Sequence, residues 1–110
     1  MQNKVLNLLG IARRAGPIAI GFDAVKALVV SGRAQIVLLA ADRSAKTEKE
    51  LRYTAQENPC PIYVIDADKE AIAHALGLQK PVAVAATDDR GFAVAMQKHL
   101  GTDTKEDVAL

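Results

Sequence analysis

The chain has 110 residues, half of them hydrophobic and a quarter charged, with a formal net charge of +1. That length suits one compact domain, and the composition excludes wholesale disorder. No apolar run approaches the ~20 residues needed to cross a bilayer. The start, Met1-Gln-Asn-Lys, lacks the layout of a secretory signal, and the lone Cys60 cannot close an internal disulfide. The expectation is a cytoplasmic protein with no membrane association. Charge is uneven: residues 1–52 hold nine Lys/Arg against four Asp/Glu, and the remainder carries the compensating acid. Without a site, that asymmetry reads as solvated helix faces.

In chain order, Val5, Leu8, Leu9 and Ala12 recur at helical spacing, which predicts an amphipathic helix over residues 3–15 with Asn3 as its N-cap. Ala15-Gly16-Pro17 breaks it, and Ile18-Ala19-Ile20 is a short extended piece. Gly21 opens a second helix with Val25, Leu28 and Val29 as its buried stripe, ended by Ser31-Gly32. Residues 35–41, Gln-Ile-Val-Leu-Leu-Ala-Ala, make a strand too continuously apolar to have a wet face. Thr47-Glu48-Lys49-Glu50 has capping-box spacing, and Leu51, Thr54 and Ala55 give the third helix its stripe. Asn58-Pro59-Cys60-Pro61 stops that helix, and residues 62–65 form another strand.

Asp66-Ala67-Asp68 then caps a short helix with Ile72, Ala75 and Leu76 inward. After a loop over 77–81, residues 82–86 form the last strand. Thr87-Asp88-Asp89 caps a final helix carrying Phe92, Ala95, Met96 and Leu100. Residues 101–110 read as a frayed tail, leaving one domain over 1–100. Helices alternating with apolar strands imply an α/β chain folded as a three-layer α/β/α sandwich.

Several chemistries lack support. His74 and His99 sit on separate predicted helices far in sequence from Cys60, so no metal-ligand spacing appears. No base accompanies Cys60 by motif, no phosphate-cradling glycine motif occurs, and the pairs Asp66/Asp68 and Asp88/Asp89 precede helices, where capping accounts for them. The expectation is no catalytic residue, no metal and no cofactor.

Three loop-to-helix junctions remain. Residues 13–26 join two arginines to a helix that begins at Gly21, where unpaired backbone N–H groups can meet an anion. Residues 41–46, Ala-Asp-Arg-Ser-Ala-Lys, lie at the exit of a central strand. Residues 76–81, Leu-Gly-Leu-Gln-Lys-Pro, set an apolar side chain beside a cation, the combination that holds unstacked nucleotides. Each taken singly is also an ordinary turn.

Taken together, Arg-Arg-Ala-Gly-x-x-x-x-Gly at 13–21, Ser-Gly-Arg-Ala at 31–34, Leu-Leu-Ala-Ala-Asp at 38–42, Leu-Gly at 76–77 and Pro-Val-Ala-Val at 81–84 resemble the kink-turn-binding ribosomal-protein superfamily, the L-seven-Ae/L-thirty-e group. Their order and spacing are most similar to its small bacterial members of the YlxQ type. Thr87-Asp88 followed by Gly91-Phe92-Ala93 fits those members too, and the resemblance spans about residues 3–100.

The resemblance implies a four-stranded mixed sheet and non-catalytic binding of kink-turn RNA, a helix bent sharply at tandem sheared G·A pairs. The implied partners are structured RNA (ribosomal RNA or a messenger leader) and the ribosome, with the protein a monomer. Carried over position by position, Gly21 allows close backbone approach and Phe22, Asp23, Ala24, Lys26 and Ala27 flank the reading edge. Ser44 falls in the neighbouring loop. Lys69, Leu78 and Lys80 meet backbone and bulged nucleotides, with Leu78 packing on a base, and Arg13 and Arg14 add backbone affinity.

The family more often has Asn-Glu at 23–24 and lysine at 27. Asp23 can only accept hydrogen bonds, Ala24 lacks a carboxylate, and Lys26 stands about 100° round the helix from position 27. Weaker or less selective kink-turn binding than in a full-motif member is therefore expected. A protein-interaction adaptor of the ribosome or of the transcription–translation machinery is the alternative, motivated by Ala24, Ala27 and an exposed Phe22.

Overall fold

The computed structural model describes residues 3–16 and 18–103. Its elements are α1 (Lys4–Ala15), β1 (Ala19–Ile20), α2 (Phe22–Val30), β2 (Ile36–Leu39), α3 (Ala45–Thr54), β3 (Ile62–Val64), α4 (Lys69–Ala75), β4 (Val84–Thr87) and α5 (Arg90–Asp103). The four strands make one mixed sheet in the order β1-β4-β2-β3. β4 is antiparallel to both its neighbours, while β2 and β3 run parallel.

Side chains alternate across the sheet, so the two central strands feed two cores. Ile36, Leu38 and Ala85 face a core with Val5, Leu9, Ala12, Ile72, Ala73, Met96 and Leu100, which places α1, α4 and α5 on one face. Val37, Leu39, Val84 and Ala86 face Val25, Val29, Leu51 and Ala55, which places α2 and α3 on the other. This is the expected three-layer α/β/α sandwich. Each fully buried Leu, Ile or Val stabilises it by roughly 1.5–3 kcal/mol relative to exposure. α1 and α4 approach closely at Gly10, where an added Cβ would lie 2.9 Å from the Ala75 carbonyl oxygen.

Several boundaries differ from expectation. α3 starts at Ala45 rather than near Thr47, because the Ser44 hydroxyl accepts the Thr47 backbone N–H at 3.1 Å and so is the cap. In α4, Ala73 rather than Ala75 is buried beside Ile72. β4 is displaced toward Thr87, since Val82 donates its N–H to the Lys69 carbonyl instead of the sheet. α5 runs through Asp103, taking in three residues assigned to the tail. Pro17 and residues 104–110 lie outside the described residues.

Candidate nucleic-acid interface

Topology gathers three helix starts, those of α2 and α3 from the expected junctions 13–26 and 41–46 and that of α4, whereas the third expected junction, 76–81, leaves the opposite end of α4 and leads back toward β4. Leu39 at the end of β2 pairs with Val64 at the end of β3 and with Val84 at the start of β4. Ile20 at the end of β1 pairs with Ala85. The ends of β1, β2 and β3 therefore share one rim, and α2, α3 and α4 all start there after short loops. Backbone bonds knit the rim together: Gly21 N–H to Val84 O at 3.0 Å, Ala40 N–H to Ala83 O at 2.8 Å, and Ala41 N–H to Ala67 O at 2.8 Å. Ligand sites in α/β sheets form beyond the carboxyl ends of strands.

The helix starts on this rim are not equivalent. α3 is capped by Ser44. α4 is capped twice, by Asp68 accepting Ala71 N–H at 2.8 Å and by Asp42 accepting Lys69 N–H at 2.9 Å. α1 and α5 are also capped, by Asn3, which donates as well to the Asp66 carbonyl beside the α4 start at 3.2 Å, and by Asp89. α2 alone among these starts has no side-chain cap: Gly21 precedes it at φ 93, ψ 164, a region open essentially to glycine alone. Nothing lies within 4 Å of where a Gly21 Cβ would be, so the backbone conformation, not crowding, requires glycine. The N–H groups of Phe22, Asp23 and Ala24 therefore have no partner among the described residues.

Asp23 and Ala27 are exposed and, four residues apart, share one face of α2. Asp23 sits in the first turn, where its charge suits the helix dipole, and its carboxylate takes no hydrogen bond among the described residues. Phe22 is not the exposed anchor expected from sequence: it is half-buried against Val25, Val29 and their neighbours. Lys26 lies over its ring, 5.8 Å from the centroid, in a cation–π contact. The lysine thus aligns with Phe22 rather than with Asp23 and Ala27.

Lys69 begins α4 on the rim, and the loop carrying exposed Lys80 returns there through the Val82–Lys69 bond. Leu78 is half-buried against the α1/α4/α5 core, its N–H bonded to Ala73 O, so only part of its side chain is available to a ligand. Arg13 and Arg14 do not join this group. They end α1, and Arg14 lines a groove with His74 and Ala75 at the far end of α4. The length of α4, about 10 Å, separates them from Lys69.

Two rim residues lie within motifs singled out from the sequence but are given no role there. Asp42 fastens the β2 exit to α4, and Arg43 is drawn inward to Glu48 (Nη2 to Oε1, 2.7 Å) and to the Ala41 carbonyl (2.8 Å). Only their place just after an apolar strand could have flagged them. Glu48 also pairs with Arg52 at 2.9 Å. Arg52 first, then Arg43, holds the Glu48 carboxyl below its ordinary value, while partial burial opposes them. Burial pushes the Cys60 thiol up, the direction of an inert rather than a nucleophilic cysteine. Among the described residues no group of three His, Cys, Asp or Glu could hold a metal, and no helix is long and apolar enough to cross a membrane.

Comparison with known proteins places this architecture. The chain is 32% identical over 92 residues to the RNA-binding protein YlxQ of Enterococcus faecium, covering 84% of this chain and 86% of that one. It is 33% identical over 86 residues to the RNA-binding protein YlxQ of Bacillus subtilis (strain 168), covering 78% and 84%. A solved protein of unknown function from Bacillus halodurans C superimposes with a TM-score of 0.80 at 28% identity, covering 88% of this chain and 96% of that one. The Giardia lamblia 15.5kD RNA binding protein shares the fold, with a TM-score of 0.69 at 24% identity and 92% of each chain covered. Residues 3–97 match the family described as Ribosomal protein L7Ae/L30e/S12e/Gadd45, and the chain belongs to that family.

Proposed function

We propose that this chain binds kinked RNA without catalysing a reaction, setting the tip of α2 against the base edges at the bend. The observation that carries this reading is the uncapped start of α2, with the N–H groups of Phe22, Asp23 and Ala24 beside the free Asp23 carboxylate. Donors next to an acceptor suit a base edge that offers both. Guanine presents O6 and N7 as acceptors, and beside O6 its N1–H, which a sheared pair leaves free, is a donor for Asp23, whereas a bare phosphate would meet the like charge of Asp23. Family membership and the RNA-binding names of the two YlxQ relatives support the same assignment.

In this reading Gly21 keeps the approach open. Lys69 and Lys80 meet phosphates across the bend, and the exposed part of Leu78 packs on a bulged base. Ser44 fixes the neighbouring loop through its cap, and Phe22 holds Lys26 over the tip. Arg13 and Arg14 reach only an RNA arm that extends past α4. Ala24 and Ala27 remove two side-chain contacts, which lowers selectivity. The protein captures the bent RNA conformer, and its preference for that conformer over the extended one sets how far the RNA equilibrium moves. The kinked segment belongs to ribosomal RNA or a messenger leader, with the monomeric protein acting in the cytoplasm at the ribosome.

The test is a gel-shift comparison of a kink-turn RNA with the same RNA carrying G·C pairs in place of its sheared G·A pairs. Tighter binding to the first is the expected result. Equal affinity for both removes base reading by α2.

A further inference from the structure

Tyr53, on the last turn of α3, is 74% exposed, more than any other large hydrophobic side chain among the described residues. It stands in a groove between α2 and α3, with Lys26 and Val30 on one wall and Lys49 and Glu50 on the other. Both helices start on the rim and run away from it, so the groove opens at Lys26, one turn beyond the α2 tip, and continues past Tyr53 to Asn58. We propose that this groove holds a short single-stranded extension of the bound RNA, with its phosphates on Lys26 and Lys49 and one base stacked on Tyr53. The proposal rests on the RNA reading above and names a contact that reading does not contain.

The order of groups along the groove carries the argument. Lys26 lies over Phe22, one helical turn from the α2 tip. Lys49 follows from the opposite wall, one turn before Tyr53 on α3, so the two point toward the same cleft from either side. Neither lysine takes part in a salt bridge among the described residues. From Lys49 to Tyr53 the helix rises about 6 Å, roughly two nucleotides at a stacked rise of about 3.4 Å. Glu50 and Glu57 line the groove as well, and they disfavour phosphate there. The backbone is therefore confined to the lysines, and the segment held is short. An aromatic face with cations along the approach is the arrangement that holds single strands without sequence preference.

The experiment compares binding of a trimmed kink-turn RNA with the same RNA carrying five unpaired nucleotides on one arm or the other. The expected result is that one extension tightens binding about tenfold, within the range for one stacked base. It should also quench tyrosine fluorescence, which is readable because the chain has no tryptophan. Tyr53→Ala abolishes the gain and leaves the affinity for trimmed RNA unchanged, Tyr53→Phe keeps the gain, and Lys49→Ala reduces both the gain and the salt dependence that the extension adds. Trimmed RNA that binds while neither extension helps, or a gain that survives Tyr53→Ala, overturns the groove proposal alone. So does a protein partner held through Tyr53 in a groove indifferent to the extension. Trimmed RNA that fails to bind overturns the α2 reading itself, and this proposal with it.

Discussion

The Asp42 carboxylate, at the exit of β2, accepts the backbone N–H of Lys69, the first residue of α4, at 2.9 Å. One side chain thereby ties the β2 exit to the start of α4 and fixes where that helix begins. Asp68 closes the same helix start through Ala71, so what Lys69 offers a ligand is its ammonium and not the end of a helix. Asp42→Ala should cost about 1 kcal/mol of stability, as loss of a cap does. It should also weaken RNA binding, although residue 42 itself is not assigned a contact. Chemical denaturation and RNA titration of the same variant check both effects, and unchanged RNA affinity would separate Asp42 from the site.

Two glycines give opposite tests of backbone and space. Gly21→Ala places a side chain at φ 93 with nothing nearby to clash, so its cost, about 1–3 kcal/mol, is conformational. Gly10→Ala sits in a helix, where alanine is normally favoured by up to about 1 kcal/mol. Its Cβ, however, would lie 2.9 Å from Ala75 O, so the predicted sign is destabilising. Thermal unfolding of both variants reads these effects, and RNA binding should fall further in Gly21→Ala than in Gly10→Ala.

Lys80 and Asp23 should separate affinity from selectivity. Lys80→Ala is expected to weaken binding to many RNAs alike and to lower the salt slope by about one. Asp23→Ala is expected to change the preference at the G·A pairs with little change in that slope. Ala24→Glu, which places the usual family residue at that position, should tighten binding. Titrations at several salt concentrations, with matched and mismatched RNAs, distinguish the three.

Glu48 provides a pH test. Arg52 and Arg43 hold its carboxyl below the ordinary value of 4.5. A lowered folded value means that this pairing stabilises the fold above pH 4.5 and fades as pH falls through the folded value. Because both guanidinium partners are partly exposed, the contribution is at most about 1 kcal/mol. Unfolding curves of wild type and Glu48→Gln should differ by that much near pH 7 and converge well below pH 4.5.

Much of this was legible in the sequence because short-range physics decides it. Asn3 caps α1 as its position before an apolar stripe predicts, and the uninterrupted residues 36–39 form a strand buried throughout. The cap of α3 is an exception, since Ser44 reaches the Thr47 N–H three residues on, a local bond that competes with the capping-box spacing at Thr47. Where long-range contacts decide, the reading shifted. Phe22 looked exposed at a helix start, but the α2/α3 core takes one face of it. Arg13 and Arg14 are near Gly21 in sequence yet end α1 at the far side of the fold, since β1 must run back to the rim between them. The Asp42–Lys69 bond, spanning two elements, had no local signature at all.

The most direct test of the central claim is the distance between the two arms of a kink-turn RNA, labelled at both ends for fluorescence energy transfer and titrated with the protein at low salt without divalent ions. Transfer should rise as protein binds, fall again as salt is added, and rise much less with Gly21→Ala. Transfer that stays flat up to saturating protein would contradict that claim.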